Sequence, residues 1–139
     1  MRARKYRGRD ERGCWHYGWL AETNDGTFYI IENDEGWTDD GFHNDDFSGW
    51  YKVLEKTIGQ FIGLCDWKGK EIYEDDVIEG DHNIRHVIRY KETDASFFAY
   101  LLPETKFSPK GGFDKSWIDE FGKEVIGNIH DNPELLRGV

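Results

Sequence analysis

The amino-acid sequence predicts a mainly β protein, an α+β chain with little helix, and two observations carry this prediction. Short runs rich in aromatic and β-branched residues recur along the chain, as in residues 27–31 and 96–102. Turn-forming clusters such as Asn24-Asp25-Gly26 separate these runs. Because no long period of about 3.6 residues and no internal repeat is present, the pattern favours a small barrel or sandwich.

The first predicted subdomain covers residues 1–56. Residues 15–20 and 27–31 predict a hairpin, and residues 50–54 predict a strand that closes the unit. Between them, residues 32–49 contain acids, Gly, Asn and scattered aromatics, which predicts a loop. The aromatic side chains of the hairpin are expected to lie mostly in the core: Trp15, Tyr17, Trp19, Phe28 and Tyr29.

The second predicted subdomain covers residues 57–139. Residues 116–121 predict a short helix that ends at Gly122. Gly63 and Gly127 lie within apolar strands, where Gly usually marks a bulge or a close approach of the backbone. The predicted strands are residues 61–64, 71–73, 76–79, 86–90, 96–102 and 125–129.

The formal net charge of −10 is distributed unevenly along the chain. Residues 1–12 carry a net charge of +4, residues 13–51 carry nine acids and no Lys or Arg, and residues 52–139 carry −5. Three interpretations are open: a solvated surface, attraction between the basic and acidic segments within or between subunits, and an acidic segment that imitates DNA. The candidate basic arm consists of Arg2, Arg4, Lys5, Arg7 and Arg9.

The composition also excludes several classes of protein. No apolar run approaches the roughly 20 residues that a membrane span requires, and residues 1–5 lead into no apolar stretch, so we expect no secretory signal. Aromatic residues make up 16% of the chain, which argues against global disorder. Two cysteines, Cys14 and Cys65, cannot build a disulfide framework, so we expect a cytoplasmic protein.

Two segments of the second subdomain resemble the YopX family of phage and prophage proteins. One runs from Ile58 to Ile78 and contains Asp66-Trp67-Lys68-Gly69-Lys70, and the other runs from Val125 to Leu136. Together they cover about a quarter of the chain. Two positions depart from the family pattern, since Asp75 stands where Gly is usual and His130 stands where an aromatic residue is usual.

This resemblance implies a bacteriophage or prophage origin and a homo-oligomer. It also implies that residues 57–139 form an SH3-like small barrel after the N-terminal β-rich subdomain. The resemblance brings no catalytic residues with it, so the prediction is a non-enzymatic binding or assembly module.

Candidate metal ligands are present, but their spacing does not match known sites. The segment from Asp39 to Asp46 offers carboxylates and one imidazole, yet Gly41 occupies the third position of a calcium loop counted from Asp39, where an oxygen ligand is required. His82 and His86 have the spacing of a zinc-protease helix, but Asn83 replaces the essential Glu. We therefore predict no metal and no cofactor.

Neither a complete set of zinc ligands nor a known catalytic motif is present in the sequence. Cys14 and His16 offer two zinc ligands, and Cys65 lies far away along the chain, so a four-ligand site would need a coincidence of folding. Neither a Gly-x-Ser-x-Gly motif nor a phosphate-binding Gly loop is present. A metal-dependent phosphoesterase or nuclease and a paired-carboxylate glycosidase stay as lower alternatives.

The acidic loop carries the predicted interaction surface, because large rings in such a place often anchor subunit or partner contacts. Direct binding of nucleic acid is disfavoured, since neutralising phosphates requires Lys and Arg. We expect a homo-oligomer, with a host or phage protein as a further partner, and the alternative is an acidic inhibitor that captures a host DNA-binding protein. The candidate surface consists of Trp37, Asp39, Asp40, Phe42, Asp45, Asp46, Phe47, Trp50 and Tyr51.

Overall fold

The computed structural model describes residues 5–32, 37–38, 41–42, 49–103 and 109–137. Over these ranges the predicted mainly β fold is confirmed, with thirteen strands and one short α-helix. None of the helices in the described part of the chain has the length and apolar character needed to cross a membrane.

The strands are β1 Tyr6–Arg9, β2 Trp15–Glu22, β3 Phe28–Ile31, β4 Trp37–Thr38, β5 Gly41–Phe42, β6 Trp50–Val53, β7 Gly59–Cys65, β8 Glu71–Tyr73, β9 Asp76–Glu79, β10 Arg85–Lys91, β11 Ser96–Leu102, β12 Lys110–Gly111 and β13 Glu124–Asn128. The helix α1 is Lys115–Asp119, and short 3₁₀ turns are Glu55–Thr57, Asp81–Asn83, Glu92–Asp94, Glu120–Gly122 and Pro133–Arg137.

The chain divides into two compact units, Met1–Gln60 and Phe61–Val139, which we call unit 1 and unit 2. The sequence places the boundary after residue 56, and the structure places it four residues later, within β7. The first residues of β7 pair with β1, and its later residues pair with β8.

In unit 1 the strands lie in the order β6-β3-β2-β1, all antiparallel. The predicted hairpin is present, and its turn places Gly26 at a φ of 83°. Strand β1 lies within the predicted basic arm, so residues 6–9 of that segment are part of the sheet. The predicted loop over residues 32–49 also contains the two short paired strands β4 and β5.

The buried hydrophobic residues of unit 1 come from β3 and β6 rather than from the aromatics of β2. Ile30, Ile31 and Val53 are buried, whereas Tyr17 and Trp19 are exposed. The expectation that the hairpin aromatics mostly fill the core is therefore wrong.

In unit 2 five strands form an antiparallel sheet in the order β12-β11-β10-β9-β13. No pairing that closes these strands into a barrel is present among the described residues, so the SH3-like barrel stays a prediction. The core contains Ile72, Ile78, Ile88, Ala99 and Ile118, with a second cluster around Val77, Val87 and Leu102.

Both glycines predicted to mark irregular strand geometry do so. Gly63 has a φ of 91° where the register between β7 and β8 shifts. Gly127 lies at the register shift between β13 and β9, and a Cβ there would collide with the side chain of Asn132. The positive φ at Gly63 and the close approach at Gly127 explain why neither position accommodates a larger residue.

The predicted helix begins at an N-cap and ends early. Asp114 caps α1 by accepting a hydrogen bond of 3.0 Å from the backbone N–H of Trp117. The following 3₁₀ turn is interrupted at Phe121, whose φ is 62°. The chain therefore leaves the helix through a left-handed residue directly before Gly122.

A buried carboxylate joins two segments of unit 2. Asp66 is 2% exposed, and its Oδ1 accepts hydrogen bonds from the backbone N–H groups of Lys68 and Lys70 at 2.9 and 2.8 Å. Its Oδ2 accepts a third bond, of 2.9 Å, from the N–H of Val125 at the start of β13. One side chain thus fixes the turn after β7 and attaches that turn to β13.

Replacing this carboxylate tests its role. Asp66→Ala is expected to lower the free energy of unfolding by about 2–4 kcal/mol, because three N–H groups lose a charged acceptor. Asp66→Asn is expected to cost less, since the amide keeps one acceptor oxygen. Urea denaturation measures both, with Asp94→Asn as the control, because Asp94 makes only an exposed ion pair with Lys91. Equal stabilities for Asp66→Ala and the control would contradict this role.

Candidate functional site

One face of the unit 1 sheet combines aromatic and basic side chains. Directly opposed residues of antiparallel strands share a face, so the observed register assigns its members. We call it the aromatic–basic face, and its aromatic and basic members are Arg7, Arg9, Trp15, Tyr17, Trp19, Tyr29, Trp50 and Lys52. The same register also places Ala21 and Ile31 on this side. None of these strand residues is acidic, although the whole chain is strongly acidic.

The arginines of this face lie against an indole ring. Arg7 is 5% exposed, and its Cζ lies 4.7 Å from the centre of the Trp15 ring. The Cζ of Arg9 lies 5.9 Å from the same ring. A guanidinium over a Trp ring is attracted by the ring quadrupole, which explains how a strongly basic segment forms a strand within the sheet.

The neighbouring rings on β2 are open to solvent. Tyr17 is 42% exposed and Trp19 is 56% exposed, and both point to the same side because side chains alternate along a strand. On the next strands, Tyr29 and Trp50 make an edge-to-face contact with 5.8 Å between ring centres. The face therefore presents large rings beside fixed cationic groups.

The opposite face carries a histidine between two carboxylates. The His16 Nε2 lies 2.8 Å from Asp10 Oδ2, and its Nδ1 lies 2.8 Å from Glu32 Oε1. The imidazole stacks on Tyr51, with 4.1 Å between ring centres and 11° between planes. Because an ionised carboxylate only accepts, both bonds form only when both ring nitrogens carry a proton.

This arrangement changes the acidity of one partner. The hydrogen bond from His16, followed by one from the backbone N–H of Cys14, lowers the pKa of the Asp10 carboxyl from its ordinary 3.8. The contact therefore favours the ionised carboxylate at this corner of unit 1.

The predicted interaction surface is only partly within the described residues. Trp37 and Phe42 oppose each other on β4 and β5, and only their backbone is described. Trp50 and Tyr51 are adjacent on β6 and therefore lie on opposite faces of the sheet. The remaining candidates lie outside the described residues: Asp39, Asp40, Asp45, Asp46 and Phe47 of the surface, and Arg2 and Arg4 of the basic arm. Lys5 directly precedes β1.

Sequence reasoning missed Tyr17 and Trp19 as surface residues. A signal was present, since large rings at positions 15, 17 and 19 alternate with His16 and Gly18. That alternation separates two faces of a strand. Which of the two is covered depends on residues distant along the chain.

The structure does not bring the candidate metal ligands together in the described part of the chain. No group of three or more His, Cys, Asp or Glu side chains suited to a metal ion occurs there. His82 lies in a 3₁₀ turn and His86 in β10, so they do not share a helix. Cys14 is exposed and Cys65 is half-buried, and both are free thiols.

His86 lies in an unusual environment within unit 2. Its ring contacts Trp117 edge to face, with 5.1 Å between ring centres, and its Nδ1 is buried without a hydrogen-bond partner. Burial, and then the charge of Lys123, lowers the pKa of His86 from 6.5 to about 4. A neutral imidazole is thus held among aromatic neighbours.

The comparisons with known proteins agree with the residue patterns of unit 2. A family model described as YopX protein matches residues 5–137. The chain belongs to the YopX family. The crystal structure of protein EF1440 from Enterococcus faecalis is similar to it, with a TM-score of 0.60 and 25% identity over 98% of this chain and 99% of that chain. No curated protein matches this YopX-family chain significantly.

Asp75 and His130, the two positions expected to depart from the YopX pattern, contact each other. The Asp75 carboxylate lies 3.0 Å from Nε2 of His130. Asp75 has a φ of 75°, which Asp tolerates better than most residues. Its backbone N–H donates to the carbonyl of Ile88, and its carbonyl accepts from the N–H of Ile129. The contact between Asp75 and His130 therefore connects the corner between β8 and β9 to the end of β13.

The lowered pKa of Asp10 can be tested by removing its main cause. His16→Phe keeps a flat ring on Tyr51 but removes both donors, so the pKa of Asp10 should rise towards 3.8. The bond from Cys14 persists, so the return should be incomplete. NMR titration of the carboxyl carbons measures this, and Asp25, whose pKa is lowered chiefly by the Thr23 hydroxyl, is the control.

The lowered pKa of Asp10 also fixes the direction in which folding stability changes with pH. Because the pKa of Asp10 is lower in the folded state, its contribution to stability is present above about pH 3.8 and is lost as the pH falls through the folded value. His16→Phe should reduce this contribution. An unchanged Asp10 titration in the variant would contradict the role of His16.

The pKa of His86 predicts acid sensitivity in unit 2. A folded pKa of about 4, below the ordinary 6.5, means that stability is full above about pH 6.5 and falls as the pH drops towards 4. Proton NMR should show one imidazole titrating near pH 4 that is absent in His86→Gln. The exposed His82 provides the control variant His82→Gln, which should retain that resonance.

Proposed function

We propose that this YopX-family protein is a non-enzymatic, phage-type binding module that self-associates through the aromatic–basic face of unit 1. The observation that carries the proposal is the exposure of Tyr17 and Trp19 side by side on β2. The non-enzymatic part follows from the sequence, which contains no nucleophile motif and no phosphate-binding loop.

Burial of these rings supplies the driving force. Covering the exposed part of Trp19 would remove on the order of 100 Å² of mostly apolar surface from water. At about 25 cal/mol per Å², this contributes about 2.5 kcal/mol, and Tyr17 adds a similar but smaller amount. Exposed Trp and Tyr side chains are also the types that most often dominate protein interfaces.

Charge complementarity between two copies also supports self-association through this face. Arg9 and Lys52 give the face a positive character, while residues 32–49 contain seven acids and no Lys or Arg. A second copy therefore brings carboxylates to a face that lacks them. Such complementarity aligns subunits and speeds their encounter more than it adds affinity.

Size-exclusion chromatography with light scattering tests the proposal across protein concentrations. The wild-type chain should form a closed oligomer, and Trp19→Ser should weaken its dissociation constant by about 50- to 100-fold, as expected for the loss of about 2.5 kcal/mol. The matched control is Trp67→Ser, since Trp67 is an equally exposed Trp in unit 2. This control should assemble like the wild type.

Two outcomes would refute self-association through this face. One is a wild-type chain that stays monomeric at every concentration. The other is an oligomer that Trp19→Ser and Tyr17→Ser leave intact, which would move the interface to another surface. Circular dichroism of each variant confirms that the fold is retained.

A further inference from the structure

Unit 2 carries a groove of about 540 Å³ that the proposed self-association does not use. Trp67, from the turn after β7, and Phe121, from the turn after α1, border it. Four carboxylates and one ammonium also line the groove: Glu79, Asp81, Asp119, Glu124 and Lys68. The groove therefore combines open aromatic rings with acidic groups.

The two aromatic rings are held in place yet exposed to solvent. Trp67 is 54% exposed and Phe121 is 55% exposed. The backbone N–H of Trp67 donates to the carbonyl of Lys123 at 3.1 Å, and a Cβ placed on Gly122 would lie 3.5 Å from the indole. Phe121 has a φ of 62°, a left-handed conformation that is unfavourable for a non-glycine residue. The turn thus keeps a large ring at the surface at an energetic cost.

The buried ammonium of Lys123 lies near the Phe121 ring and already has hydrogen-bond partners. The Nζ of Lys123 donates to the carbonyls of Trp117 and Glu120, both at 2.9 Å. It lies 5.4 Å from the centre of the Phe121 ring. Burial lowers the pKa of Lys123, and its hydrogen bonds direct this cation to backbone carbonyls rather than into the groove.

The carboxylates of the groove are paired weakly or not at all. Asp119 pairs with Lys115 and Glu124 pairs with Lys68, both at 2.9 Å and with both partners more than one-third exposed. Asp81 is exposed, and its carboxylate has no partner among the described residues. Exposed ion pairs contribute little to stability, so these carboxylates can turn to an incoming cation at little cost.

Glu79 is the exception among the four. Its Oε2 accepts a 2.6 Å bond from Nε of Arg85, and both side chains are about one-quarter exposed. This pair is shorter and less exposed than those of Asp119 and Glu124, so Glu79 is already engaged by a guanidinium of its own chain.

We infer that the groove binds an arginine side chain of a basic peptide segment in a partner protein. A guanidinium stacks on aromatic faces and donates two parallel hydrogen bonds to a carboxylate. An ammonium, in contrast, is a compact, strongly hydrated point charge. The carboxylates that line the groove repel anionic ligands. The charged rim also disfavours a purely apolar segment. The inference rests on unit 2 alone and is independent of the self-association of unit 1.

Fluorescence anisotropy with a labelled peptide of alternating Gly and Arg tests the inference on the full chain. The Arg peptide should bind, and the same peptide with citrulline, which is neutral and similar in shape, should bind at least tenfold more weakly. A Lys peptide should fall between them. Affinity should decrease when salt rises from about 50 to about 300 mM, because the groove charges are exposed.

Three variants and one control connect binding to the groove. Trp67→Ala and Phe121→Gly should each weaken binding about tenfold or more, and Gly relieves the left-handed backbone at 121, so this variant should fold well. Asp81→Asn should weaken binding about threefold without removing a packed group. Tyr90→Ser, which alters an exposed ring of unit 2 outside the groove, should bind the Arg peptide like the wild type.

Several results would overturn the inference. These are the absence of binding by the wild type at millimolar peptide, equal affinity for the Arg and citrulline peptides, or unchanged affinity in both Trp67→Ala and Phe121→Gly. If Trp67→Ala instead dissociates the oligomer, the groove is an interface between copies and the partner assignment fails. Failure of the self-association proposal appears separately, in Trp19→Ser, so the two proposals can be distinguished.

Discussion

The carboxylate of Asp66 is the interaction on which the described geometry of unit 2 depends. It gathers backbone N–H groups from its own turn and from the start of β13, and Lys115 of α1 donates to the carbonyls of Cys65 and Asp66. Strand, turn and helix therefore meet at one residue. The position of Trp67, and with it the groove, follows directly, because Trp67 is the next residue in the chain.

In unit 1 the alternation of side chains along each strand decides which residues share a surface. It separates His16, which lies between two carboxylates, from Trp15, Tyr17 and Trp19 on the other face. It also separates Trp50 from Tyr51, which the sequence groups in one surface. A single strand thus contributes both a buried polar cluster and an exposed aromatic surface.

Local pattern predicted most strands because each is a short aromatic or β-branched run between turn residues. Strand β1 escaped this reasoning, since Arg7 and Arg9 give it no apolar alternation. Its arginines are accommodated by the Trp15 ring, and that contact becomes visible only when β1 pairs with β2. The groove was missed for the same reason, because Trp67 and Phe121 are 54 positions apart in the chain and meet only in the fold.

The sequence by itself determined most of the strands, the turn at Gly26, the irregular strand positions at Gly63 and Gly127, and the family. These features depend on backbone preferences and on residues a few positions apart, so a local pattern contains them. Only the tertiary structure decided which face of β2 is exposed and that Asp75 bonds His130. Exposure and pairing are set by partners distant in sequence, and no local pattern carries that information.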